Sequence, residues 1–99
     1  MLISLDCETT GVDFAHGTMP YLVTWCVEGE APLFCEWDVD PLTRRVCVPQ
    51  EDVAHIQQVI DEAELIYLQN SQFDAIALGT IGVTLPWHKV RDTLVAGHL

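Results

Sequence analysis

Hydrophobic and polar positions along the chain follow two periods, one typical of strands and one typical of helices. Short segments rich in apolar, aromatic and β-branched residues lie at 2–5, 21–27, 33–37 and 65–68. Helical spacing begins after Pro49, continues to Ala63, and resumes from Phe73 to Leu78. This order predicts an α/β fold, in which a three-stranded antiparallel meander is followed by a helix, a strand parallel to the first, and a second helix.

Two carboxylates stand one residue apart where the first apolar run ends. Residues i and i+2 of a strand point the same way, so Asp6 and Glu8 are expected to project from one face. Two like charges held this close are costly unless a cation compensates them, and a hard divalent ion with oxygen ligands is the natural compensator. The alternative is a solvated strand end that runs into a turn.

A second polar segment follows the strand predicted at 65–68. Asn70 comes directly after this strand, and Asp74 is expected in the first turn of the helix that begins there. Parallel pairing of this strand with the first would bring Asp74 towards Asp6 and Glu8. The structural alternatives are an acid that complements the helix dipole at Asp74 and a local helix cap at Asn70.

Three segments of the chain resemble, in order, the motifs of one nuclease family. They are Leu5-Asp6-Cys7-Glu8-Thr9-Thr10-Gly11, then Asn70 with Phe73-Asp74-Ala75-Ile76-Ala77-Leu78, and finally Asp92-Thr93-Leu94-Val95-Ala96. The family is that of the proofreading 3′-5′ exonucleases with four carboxylates, and the likeness is greatest to the exonuclease domain of family A DNA polymerases, particularly phage ones. The resemblance implies a ribonuclease H-like fold and covers almost the whole chain.

The resemblance also implies a role for each matching residue. Asp6 would bridge two Mg²⁺ or Mn²⁺ ions, Glu8 would bind the ion on the nucleophile side, and Asp74 would support the ion on the leaving-group side. Two ions roughly 3.5–4 Å apart can clamp the attacking and departing oxygens of an in-line displacement. Asn70 and the backbone around Thr9 would hold the terminal nucleotide of a single-stranded DNA 3′ end, and nucleoside 5′-monophosphates would be released.

The chain departs from the family pattern at the fourth carboxylate, which the family places in a Tyr-x-x-x-Asp or His-x-x-x-Asp motif. His88 and Asp92 have this spacing, but Asp92 follows closely on Asp74 and matches the non-catalytic Asp-Thr-Leu segment better. The apolar stretch 93–99 also stops without the polar or Gly/Pro residues that usually follow a helix. We therefore expect residues 1–99 to form one partial exonuclease domain that carries the first two motifs.

Composition predicts a single small domain that folds inside a cell. Hydrophobic residues make up 49% of the 99 positions, which is enough for a core. No apolar run is long enough to cross a membrane, and no export signal is recognisable, so we expect the cytoplasm of a bacterium or of a phage-infected host. The four cysteines are expected to be reduced core or strand residues, and Trp25, Phe34 and Trp37 are expected to pack in the protein rather than stack on bases.

The net charge of −11, from 15 acidic and 4 basic residues, argues against nucleic-acid binding. Metal ions would neutralise part of it, and a basic partner such as a polymerase domain would supply phosphate contacts. Two alternatives therefore stay open beside a DNA exonuclease. One is an RNA-trimming exonuclease of the same superfamily, and the other is a non-catalytic remnant that binds a partner chain.

Overall fold

The computed structural model describes residues 1–11 and 17–93, which form a mixed five-stranded sheet and two α-helices. The strands are β1 (Leu2–Thr9), β2 (Pro20–Val27), β3 (Leu33–Glu36), β4 (Leu65–Leu68) and β5 (Val90–Asp92). The helices are α1 (Gln50–Glu62) and α2 (Ser71–Thr80), and a short 3-10 helix spans Trp87–Lys89. The spatial order of the strands is β3-β2-β1-β4-β5.

The pairing of the strands confirms the predicted α/β class and the predicted order of elements. β1, β2 and β3 form an antiparallel meander, and β4 lies parallel to β1 on its other side. The sequence reasoning missed β5, which pairs parallel to β4 at the sheet edge. Three residues, two of them charged, are too few to show the alternation by which a strand is recognised.

The core lies on one face of the sheet, because side chains along each strand alternate between its faces. Ile3, Leu5 and Cys7 of β1 point into this core. Asp6, which lies between Leu5 and Cys7, and Glu8, which follows Cys7, are exposed. Both helices contribute to the same cluster, whose helical members include Val53, Ile56, Ile60, Ala77 and Leu78. Each buried Ile or Leu contributes roughly 1.5–3 kcal/mol relative to an exposed position.

Two of the three aromatic residues expected to pack do so. Trp25 is buried and meets the exposed ring of His55 edge-on, with ring centroids 5.5 Å apart. Trp37 is buried, and its indole N–H donates to Asp52 Oδ2 at 2.8 Å. The prediction is wrong for Phe34, which is 65% exposed. Phe34 pairs with Thr24, which pairs with Asp6, so its side chain lies on the face of the sheet opposite the core.

The cysteines are all free, as expected. Cys7 is buried, and Cys26 and Cys35 are partly buried in β2 and β3. The prediction is wrong for Cys47, which is exposed in the loop before α1 and belongs to neither the core nor a strand. No helix in the described ranges has the length and apolarity that a bilayer crossing requires. The apolar helix predicted after Asp92 falls on 94–99, outside the described residues.

One lysine from a distant segment caps the end of α1. The last turn of α1 contains no basic residue, and its final carbonyl groups lack partners within the helix. Lys89 Nζ donates to the carbonyl oxygens of Asp61 at 2.8 Å, Ala63 at 2.9 Å and Ile60 at 3.4 Å. The ammonium group thereby ties α1 to the segment that leads into β5.

We predict that Lys89→Met lowers the free energy of unfolding by about 1–3 kcal/mol, because three carbonyl groups lose a charged donor. Urea denaturation measures this change. Arg91→Met is the matched control, since it removes the same charge, while the hydrogen bonds of Arg91 within the described residues go to the carbonyl groups of its neighbours His88 and Val90. Equal destabilisation by the two variants would contradict the capping role.

Candidate carboxylate site

β1 places Asp6 and Glu8 on the same exposed face of the sheet, as the alternation predicted. Asp6 pairs with Thr24 of β2, and Glu8 pairs with Leu22. The register then shifts between Glu8 and Thr9, so that Thr9 pairs with Pro20. A bulge of this kind bends a strand and redirects the side chains beside it. The end of β1 that carries the carboxylates is therefore also the place where regular pairing is interrupted.

The first turn of α2 lies beside the same end of β1. The pairing of β1 with β4 ends at Ser4 and Tyr67, so the edge of β1 beyond Ser4 is open to the segment that follows β4. Asn70 caps α2 by accepting from the N–H of Phe73 at 3.4 Å, and the N–H of Asp74 donates to the Asn70 carbonyl at 3.0 Å. The expected placement of Asp74 in the first turn is confirmed, as is the local cap at Asn70.

Asp74 is buried against β1, with only 3% of its surface exposed. Burial and the nearby charge of Asp6 raise the pKa of Asp74 from its ordinary 3.8 to about 6. The backbone N–H and the thiol of Cys7 donate to the Asp74 carboxylate and offset part of this rise, while the charge of Asp92 adds to it. Burial, together with the charges of Asp74 and Asp6, raises the pKa of the Cys7 thiol far above its ordinary value, so the thiol stays protonated as a donor.

A cavity of about 240 Å³ opens where β1 meets α2. Its lining consists of Asp6, Cys7, Gln69, Asn70, Phe73 and Asp74. The structure thus brings together three of the five predicted site residues, Asp6, Asn70 and Asp74. Glu8 and Thr9 do not line this cavity, and the Thr9 hydroxyl donates to the Gly11 carbonyl at 2.6 Å.

The residues of the cavity offer the oxygen ligands that a hard divalent cation prefers, but they are too few to hold the ion. Carboxylate and amide oxygens are the donors that Mg²⁺ and Mn²⁺ prefer. Burial is the main cause of the raised pKa of Asp74, the charge of Asp6 adds to it, and a bound cation would lower this pKa. Among residues 1–11 and 17–93, however, no three His, Cys, Asp or Glu side chains are grouped so that they could hold a metal ion.

Asp92 has a structural role at the start of α2. Its Oδ2 accepts from the backbone N–H of Ser71 at 2.9 Å and from the Ser71 hydroxyl at 2.6 Å. This carboxylate therefore holds the buried first residue of α2 against the end of β5. His88 is exposed in the short 3-10 helix. The charge of Asp92 also acts on Asp74, and the expectation that Asp92 is non-catalytic stays a prediction.

The sequence reasoning missed Cys7 as a site residue. Cys7 lies between the two predicted ligands in β1, its side chain is buried, and its N–H and thiol both donate to Asp74. Two signals could have identified it. The alternation of β1 turns Cys7 away from Asp6 and Glu8, and the predicted β1–β4 pairing brings the start of α2 to the end of β1. Gln69 was missed as well, and only the position of α2 shows that it lines the cavity.

Comparison with known proteins adds no family to this description. No family model matches the chain, and no curated protein matches it either. The functional inferences below therefore rest on the motifs and on the geometry of the cavity.

The raised pKa of Asp74 predicts a pH-dependent loss of stability. Between pH 4 and 6 the folded protein keeps a proton that the unfolded chain has already lost, so the Asp74 contribution to stability falls as pH rises through this window. Asp74→Asn should remove this cost and raise the free energy of unfolding by up to about 3 kcal/mol at pH 7, with no gain at pH 4.

Urea denaturation at several pH values in the presence of EDTA measures this difference between wild type and variant. Asp38→Asn, which changes an exposed acid in the loop before α1, is the matched control. A variant that is no more stable than wild type at pH 7 would contradict the assignment of a buried, uncompensated carboxylate.

The two hydrogen bonds of Asp92 predict a loss of stability on its removal. We expect Asp92→Ala to lower the free energy of unfolding by about 1–3 kcal/mol, because the buried Ser71 loses an acceptor for its N–H and hydroxyl groups. Calorimetric titration should give the same Mn²⁺ affinity for this variant as for wild type. Unchanged stability with weakened Mn²⁺ binding would identify Asp92 as a metal ligand instead.

Proposed function

We propose that this chain is a metal-dependent 3′-5′ exonuclease module that acts on DNA 3′ ends as the proofreading part of a DNA polymerase. The observation that carries the proposal is the shared cavity of Asp6 and Asp74. One carboxylate comes from the end of β1 and the other from the first turn of the helix after the parallel strand β4. The mixed sheet with two helices is compatible with a ribonuclease H-like fold, and that finer assignment is part of the proposal.

The proposed roles follow from the position of each side chain. Asp6 and Asp74 hold Mg²⁺ or Mn²⁺, with Glu8 on the same strand face as Asp6, and two bound ions would supply an activated water and stabilise the leaving oxygen. Cys7 fixes the Asp74 carboxylate against β1 through its N–H and thiol donors. Asn70 and the backbone around Thr9 hold the terminal nucleotide, and Phe73 gives the cavity an aromatic wall on which a base can stack.

The fourth carboxylate is proposed to come from another polypeptide segment, such as a further exonuclease segment or a polymerase domain. The sheet face that carries Asp6 and Glu8 also carries Tyr67 and Phe34, which are 37% and 65% exposed. An uncovered face beside the carboxylates offers room for such a segment. The cytoplasm of a bacterium or of a phage-infected cell is the proposed location.

A non-catalytic remnant that binds a partner is the second candidate function. The observation that favours it is the lack of three grouped metal-ligating side chains in the part of the chain that the structure describes. An RNA-trimming exonuclease would use the same carboxylates, and only contacts to the 2′-hydroxyl would distinguish it. Substrate comparison separates these alternatives.

We predict that the purified chain with Mg²⁺ or Mn²⁺ shortens a 5′-labelled single-stranded DNA from its 3′ end, producing a ladder of products. The Asp6→Ala/Asp74→Ala variant should leave the DNA intact, because both cavity carboxylates are lost. Asp38→Ala, an exposed acid outside the cavity, is the matched control and should retain activity. A parallel reaction on RNA of the same sequence tests the substrate class.

Calorimetric titration with Mn²⁺ separates the remaining outcomes. One outcome is that the chain folds and is inactive, but binds Mn²⁺ in a way that Asp6→Ala abolishes. This outcome would identify an incomplete site and favour the non-catalytic remnant. Mn²⁺ affinity unchanged by Asp6→Ala would rule out the proposed metal site itself. Cleavage that persists in the double variant would show contamination by another nuclease.

A further inference from the structure

The four basic residues of the chain divide into two groups by where they lie. Lys89 caps α1, and Arg91 donates to carbonyl groups of the neighbouring residues at the β5 edge. Arg44 and Arg45 lie together in the loop between β3 and α1, where they line a cavity of about 760 Å³. Within the described ranges, the cavity is also lined by Thr10, Gly17, Thr18, Met19, Thr43 and Thr80. Half of the basic residues therefore face one cavity rich in hydroxyl groups.

The loop that carries the two arginines is held by its own hydrogen bonds. Asp40 Oδ1 accepts from the N–H groups of Leu42 at 2.8 Å and Thr43 at 3.0 Å. The Asp40 carbonyl accepts from the N–H of Arg44 at 2.8 Å, and the Asp40 N–H donates to the Arg45 carbonyl at 2.9 Å. Arg44 has a left-handed backbone with φ of 62°, which the tight loop imposes. The two guanidinium groups are thus presented by an ordered loop.

A direct contact joins this loop to the end of β1. Arg44 Nη2 donates to the carbonyl oxygen of Thr10 at 3.1 Å, and Thr10 follows directly on the strand that carries Asp6 and Glu8. The Thr10 hydroxyl accepts from the N–H of Met19 at 3.2 Å and donates to no residue in 1–11 or 17–93. The arginine cavity and the carboxylate site therefore adjoin the same strand end.

Neither arginine is neutralised by a carboxylate within the described residues, although acids outnumber bases by 15 to 4. The ion pair found there joins the N-terminal amine to Glu64 at 3.2 Å, and it involves no arginine. Arg45 is exposed, and its guanidinium has no hydrogen bond to any residue in 1–11 or 17–93. Asp38 and Asp40 line a neighbouring cavity with Arg45, but no described carboxylate forms an ion pair with either arginine. Two cations without an ion pair, beside several hydroxyl groups, form a site suited to an anion.

We propose that the Arg44–Arg45 cavity binds a backbone phosphate of a single-stranded nucleic acid whose 3′ end enters the Asp6–Asp74 cavity, an inference that rests on the proposed function. A guanidinium offers a planar pair of donors that matches two phosphate oxygens. The hydroxyl groups of Thr10 and Thr43 supply further donors. A free nucleoside monophosphate presents the same phosphate chemistry, so the test includes both ligands.

Fluorescence anisotropy of a labelled oligothymidylate of about ten nucleotides tests the proposal at low salt in EDTA, where no metal-dependent cleavage interferes. Arg45→Gln should bind roughly tenfold more weakly than the matched control Arg91→Gln, which removes the same charge from a different edge of the sheet. The slope of log affinity against log salt should also fall by about 0.7, because one phosphate contact is lost.

Competition identifies the form of phosphate that the cavity takes. We expect inorganic phosphate and thymidine 5′-monophosphate to displace the labelled oligonucleotide only at concentrations far above the concentration at which unlabelled oligonucleotide displaces it. Each of these competitors offers one phosphate without the rest of the strand. Displacement by the monophosphate at concentrations equal to the oligonucleotide would overturn the assignment to a strand. Equal affinities of Arg45→Gln and Arg91→Gln, or no binding by wild type, would overturn the site.

A second measurement on the wild-type protein guards against misfolded variants. In a titration with the same oligonucleotide, the backbone amide signals of Thr10, Thr43 and Arg45 should shift, while those around Arg91 should not. The result is independent of the exonuclease assay. Arginine-dependent binding without cleavage would contradict the proposed function alone, and cleavage with binding that is insensitive to Arg45→Gln would contradict this inference alone.

Discussion

The parallel pairing of β1 with β4 is the contact on which the carboxylate site depends. Its register joins Leu2 to Leu65 and Ile3 to Ile66, and it ends at Ser4 with Tyr67. A slip by one residue would turn the buried side chains of β4 outward, so the core fixes the register. Because the pairing ends early, the start of α2 can lie against the open edge of β1. Asp74 reaches Cys7 through this gap in the ladder, without interrupting any strand pair.

The electrostatics of the site follow from that placement. Asp74 is buried beside Asp6, and the two donors of Cys7 only partly offset the cost of its charge. A residue chosen for stability alone would not be an acid at this position, since an uncharged side chain could accept the same hydrogen bonds. Natural proteins commonly accept such a cost at functional sites. The burial of Asp74 is therefore the feature that most favours a functional reading over a simple helix-start acid.

The sequence predicted those strands and helices that have a long hydrophobic pattern or that begin at a residue such as proline. The meander, α1 after Pro49 and the β1–β4 pairing were all foreseen, because alternation in β1 and the spacing of Val53, Ile56 and Ile60 are unambiguous. The exposure of Phe34 was not foreseen, since the pattern of a short strand does not say which of its two faces meets the core. The sequence placed Asp6 and Glu8 on one face, but only the packing of α2 shows that Asp6 lines the cavity with Asp74 and Glu8 does not.

A net charge of −11 and a nucleic-acid substrate are compatible only if the positive charges are placed unevenly. Long-range repulsion slows the approach of a polyanion, but it is screened within about 10 Å at 0.1 M salt. At contact distance, the charged groups next to the bound phosphate determine the strength of binding. Lys89, Arg91 and Arg44 each donate to backbone carbonyls, whereas the Arg45 guanidinium bonds to no residue in the described ranges and lines the same cavity as Arg44. Under the proposed function, these two arginines would contact the substrate strand, and a basic partner would supply the remaining phosphate contacts.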